Sequence, residues 1–210
     1  MVLTIALFCG LILSPLGAQA TLITIQIEAV VDGVNDPDTD LEGLVKIGDL
    51  ITGIYTYDTD TPDSSSSANV GRYEHYSYPC GFSLSVSGLD FMTDPTDTYF
   101  EMFVVNNNAG VDGYSVTSYI NLPLSDGTSV SNIKWSLQDT SELALSSTNL
   151  ATTAPALDAW EANYLDIRGQ GVRTGFAIQG HVTSAVVVPE PNATLLLGLG
   201  AIALVRKVKK

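Results

Sequence analysis

Cysteine is nearly missing from this chain of 210 residues, which holds only Cys9 and Cys80. That is too few for the paired framework that staples many exported domains, so the fold must rest on an apolar core. Cations are scarce as well: nine Lys and Arg stand against 23 Asp and Glu, a formal net charge of −14. Four of the nine, Arg206, Lys207, Lys209 and Lys210, crowd into the last five residues. Residues 21–190 therefore carry all 23 acids and only five bases, a net −18. A body so negative repels phosphate backbones and anionic lipid, which argues against nucleic acid as a partner. Histidine is limited to His75 and His181, neither in a metal-ligand spacing, and no Gly-x-Ser-x-Gly elbow occurs. A thiolate at Cys80 would need a histidine beside it, and nothing in the sequence brings either one there. Cys80, in "YPCGF", is expected to be a small buried thiol.

The opening "MVLTIALFCGLILSPLGAQA" has no charge, an apolar core from Ile5 to Leu13, and small residues at Ala18 and Ala20. This pattern predicts a signal peptide over residues 1–20, cut by signal peptidase before Thr21. The central stretch, residues 21–186, is the right size for one domain with a single core.

That domain alternates apolar with polar residues, the period of half-buried strands. In "LITIQIEAV", Ile23, Ile25, Ile27 and Ala29 share a face; Tyr55 and Tyr57 share one in "ITGIYTYD", Phe82, Leu84 and Val86 in "GFSLSVSG", and Ile133, Trp135 and Leu137 in "SNIKWSL". "RYEHYSY", "YFEMFVV", "YSVTSYI" and "GFAIQGHVTSAVVV" complete a set of about eight strands, separated by links rich in Gly, Pro, Asn and Asp. The expected fold is all-β, an antiparallel sandwich with jelly-roll connectivity as one form. One short helix or packed loop is expected in "APALDAWEANYLDIRG", where Leu157, Trp160, Tyr164 and Leu165 fit a helical face.

Two kinds of chemistry are within reach of such a chain. Asp36, Asp38 and Asp40 alternate like the first ligands of a calcium loop, but Leu41 stands where that loop needs glycine and Ile47 where it needs glutamate. They are a candidate Ca²⁺ site of a looser kind, and no other cofactor is expected. Carboxylates suited to glycoside hydrolysis are plentiful, yet their separation is not readable from sequence. A secreted hydrolase acting on polysaccharide is therefore the alternative to a binding or structural module without catalytic residues.

The C-terminal stretch is the most informative. Pro189 and Pro191 bar helix through Val188–Pro191 and leave that tetrapeptide extended. An uncharged run from Ala193 to Val205 comes next, then the basic end. This reads as a single transmembrane helix with its cations held in the cytoplasm as a stop-transfer signal. "VPEP", a glycine-speckled apolar helix and "RKVKK" resemble the PEP-CTERM sorting signal of exopolysaccharide-producing Gram-negative bacteria. The resemblance implies that residues 187–210 are recognised by an exosortase, with Val188, Pro189, Glu190 and Pro191 as the sorting and cleavage motif. It also implies an inner-membrane intermediate followed by delivery to the outer surface or matrix of a biofilm, among polysaccharide or other matrix proteins. "GIYTYDTDTPD", "GRYEHYSY" and "GFAIQGHVTSAVVVPEP" are similar, more diffusely, to secreted β-rich proteins that carry this tail.

Overall fold

In the computed structural model, residues 22–170 and 175–189 are described. Ten antiparallel strands form one continuous sheet: β1 (Leu22–Asn35), β2 (Leu50–Asp58), β3 (Val70–His75), β4 (Gly81–Val86), β5 (Leu89–Met92), β6 (Phe100–Val105), β7 (Asp112–Ser118), β8 (Ser129–Asp139), β9 (Ala162–Gln170) and β10 (Ala177–Val187). Their order is β3-β6-β7-β8-β9-β10-β1-β2-β4-β5. The all-β antiparallel expectation holds, but in place of two separate sheets there is a single sheet curled into a half-barrel. Nine interstrand steps at roughly 20–25° each sum to about half a turn, which swings edge strand β3 round to the ends of β2 and β4. The long strand β1 bends at two register shifts, between Glu28 and Ala29 and between Val31 and Gly33, as bulges allow.

The core fills the inside of the curl, and the predicted faces supply it. Ile25, Ile27, Ala29, Tyr55, Tyr57, Phe82, Leu84, Val86, Ile133, Trp135 and Leu137 are all buried. Contacts between the two halves are aromatic: Tyr55 of β2 meets Trp135 of β8 edge-on at 5.8 Å, and Phe82 of β4 meets Phe100 of β6 at 5.5 Å. The buried hydroxyls of Tyr55 and Tyr114 hydrogen-bond to each other at 2.9 Å. Trp135 is therefore a core residue, its indole N–H donating to Asn163 Oδ1 at 2.9 Å.

Beyond β5 the chain pairs with the β7–β8 link. Asp94 N–H donates to the Ile120 carbonyl, Leu122 N–H to that of Met92, and Thr93 Oγ1 to Ser118 Oγ at 2.7 Å. Gly81 makes room for this closure, since a Cβ there would lie 2.5 Å from Thr93 Oγ1. Helix is confined, among the described residues, to the 3-10 turn Leu157–Ala159. The expected helical face does not form: Tyr164 is exposed, while Leu165 is buried on β9. No helix among the described residues is long and apolar enough to cross a membrane. The segment expected to do so, within residues 190–210, lies outside them.

Candidate functional sites: the tail junction and a tyrosine-walled cleft

The first site is the end of β10. First and last strands are neighbours: Ile25 pairs with Val187, and Val188 N–H donates to the Thr24 carbonyl at 2.8 Å. The next residue, Pro189, has no N–H, so the ladder cannot continue through it. Val186, Val187, Val188 and Pro189 are all exposed. The sorting tetrapeptide thus begins where the folded domain stops, beside the start of β1. Glu190 and Pro191, the basic residues Arg206, Lys207, Lys209 and Lys210, and the signal-peptidase residues Ala18 and Ala20 lie outside the described residues.

The calcium candidates do not converge. Asp36 turns its carboxylate onto its own loop, accepting from Asp40 N–H at 2.8 Å and Leu41 N–H at 2.9 Å. Asp40 is held above the usual aspartate range by desolvation, and next by repulsion from Asp36, Asp38 and Asp126. No group of three or more His, Cys, Asp or Glu side chains among the described residues is arranged to hold a metal ion. The loop is a turn capped by its own carboxylate.

The second site was not visible in the sequence. Where the β2–β3 crossover and the β3–β4 link (residues 76–80) approach the start of β1, they enclose a cleft of about 490 Å³. Asp58, Asp60, Glu74, Tyr76 and Tyr78 line it, together with His75, Cys80 and Leu22. Cys80 and His75, far from obvious partners in sequence, therefore share a cleft, yet the thiol is tuned away from nucleophilic chemistry. Burial pushes the Cys80 thiol up to about 11, which leaves it protonated near neutral pH. Desolvation lowers His75, only partly opposed by the Asp58 carbonyl, so its ring is neutral. Its Nε2 lies 3.3 Å from that carbonyl. His181 does not line the cleft; on β10 its Nδ1 pairs with Asp32 at 2.8 Å.

Two exposed rings wall the cleft, Tyr76 at 66% exposure and Tyr78 at 73%. Tyr76 also begins a ladder across the outer face: it stacks on Tyr99 at 5.4 Å and 11°, and Tyr99 on Tyr119 at 5.0 Å and 29°. Register explains the ladder, because Tyr119 N–H donates to the Tyr99 carbonyl, and the pairing of His75 with Phe100 sets Tyr76 opposite Tyr99. One row along, Arg72 bridges two carboxylates, at 2.6 Å to Glu101 and 3.3 Å to Glu74. Tyr99 donates its hydroxyl proton to Glu74 at 3.2 Å. The signal in the sequence was the spacing of two in "RYEHYSY", which sets Arg72, Glu74, Tyr76 and Tyr78 in one phase.

Fold and junction together define an all-β domain with a proline-bounded, exposed exit at its C-terminal strand. Residues 187–210 match the PEP-CTERM protein-sorting motif, so the chain carries that motif directly after its last strand. That motif implies export, processing by an exosortase, and sorting to the surface or the extracellular space. No curated protein and no solved structure matches the chain.

Proposed function

We propose that this is a non-enzymatic surface or matrix protein of a Gram-negative cell, associated with extracellular polysaccharide or with other matrix proteins. Its opening residues 1–20 act as a signal peptide. Residues 190–210 hold it briefly in the inner membrane, and an exosortase then frees the β domain. The single observation that carries this reading is the sorting motif at 187–210 beginning where β10 ends, with Val188 and Pro189 exposed. A protease cleft binds its substrate as an extended strand, and a proline-braced segment is already extended.

The test is replacement of Glu190 and Pro191 by alanine in a host that makes the sorting enzyme. We expect an uncut form retained in the membrane fraction. Normal release of the variant would overturn the reading.

A further inference from the structure

The cleft of about 490 Å³ has a one-sided chemistry. Its lining includes the carboxylates of Asp58 and Asp60, together with Glu74, which is already paired with Arg72 from outside the cleft, and none of its lining residues is a lysine or arginine. His75 adds to this bias. It is 4% exposed, and with its ring neutral, Nε2 must carry the proton to donate to the Asp58 carbonyl, which can only accept. Nδ1 is then a lone-pair acceptor, and it is buried without a hydrogen-bond partner among the described residues. A buried acceptor left unpaired is costly, and it points to a donor supplied from outside the fold.

The exposed rings narrow the identity of that donor. Tyr76 rests one side against Tyr99 and is otherwise open, and Tyr78 is more exposed still. Aromatic faces attract cations and pack against flat C–H surfaces. A ligand with an ammonium group, several hydroxyl donors and a C–H face satisfies carboxylates, Nδ1 and rings together. Polyanions are excluded both by the cleft and by the net −18 of residues 21–190.

We propose that this cleft binds a glycan carrying protonated amino groups, a hexosamine polymer that has lost part of its N-acetyl groups. Tyr76 and Tyr78 stack on the sugar rings, and Asp58 and Asp60 take the ammonium. The inference rests on the proposed extracellular role for the choice of a glycan over other donor-rich cations.

The experiment is calorimetric titration of the full chain in detergent with a chitosan oligomer, its fully N-acetylated counterpart, a polyuronate and a lysine-rich peptide. We expect the chitosan oligomer to bind about tenfold or more tightly than the acetylated one, with an affinity that falls as salt is added. Y76A combined with Y78A should weaken binding at least about fivefold, and D60N should weaken it and flatten the salt dependence, both with melting temperatures close to that of the parent. Equal affinity for the two oligomers, unchanged binding by the variants, or no binding by the parent would overturn the proposal. Binding of the polyuronate would overturn it too, since the cleft would then accept a polyanion. Peptide binding as tight as chitosan binding would also overturn it, in favour of a protein partner. None of these outcomes depends on tail processing, so a failure here leaves the sorting variant's result to stand or fall separately.

Discussion

Asp139 illustrates what single residues do in this chain. It is 2% exposed, and its carboxylate gathers the loop beyond it, accepting from Ser141 N–H and Oγ, from Leu143 N–H at 3.0 Å and from Ala144 N–H at 3.2 Å. Its register partner Asp112, fully buried, does the same at Asn107 and Leu145. The hydrogen bond from Leu143 N–H is the largest influence holding Asp139 below its ordinary value of 3.8. A depressed carboxyl stabilises the fold above its unfolded value, and that contribution disappears as pH falls through the folded one. Asp139→Asn is therefore expected to be less stable than the parent near neutrality, with the gap narrowing below about pH 4. Urea unfolding at neutral and acid pH checks this, and a gap constant with pH would contradict it. These acids look in sequence like any others in an acidic chain, because only the fold shows which carboxylates have been turned onto backbone amides.

At the scale of elements, eight strands were legible because each has one dry and one wet face. β5 and β9 were not, for different reasons. β5 has four residues and is joined to β4 by Ser87–Gly88, both at positive φ, 51° and 85°. That two-residue turn returns the chain antiparallel, yet so short a strand offers too little alternation to register. β9 starts inside an Ala- and Glu-containing stretch whose Leu157, Trp160, Tyr164 and Leu165 fit a helical period. Hydrogen bonding to β8 and β10 overrides that propensity, and Leu165 and Ile167 point inward while Tyr164 points out. The strand assignment predicts opposite fates for adjacent substitutions. Leu165→Asp should cost about 3 kcal/mol or more by burying an unpaired charge, and Tyr164→Asp should stay within about 0.5 kcal/mol as a surface change. Chemical denaturation of both variants decides; equal losses would return the segment to a helix. The cleft escaped sequence reading for a related reason: Asp58, Glu74 and Tyr78 meet only because half a turn of sheet twist carries β3 to the end of β2.

For the whole molecule, the arrangement that matters is the pairing of first strand with last. β1 and β10 zip along most of their lengths, so the domain is completed only when its final strand is in place, and the sorting motif leaves the fold one residue later. The same end of the sheet holds the start of β1 and the tyrosine-walled cleft, which Leu22 helps to line. Here the sequence was at its most legible, since proline, an uncharged run and terminal cations act by order and composition and need no tertiary contact. The most direct test of the account is mass spectrometry of the mature protein isolated from its own cells. We predict a product that begins at Thr21 and ends upstream of the apolar run starting at Ala193; a product that still ends in Lys210 would contradict it.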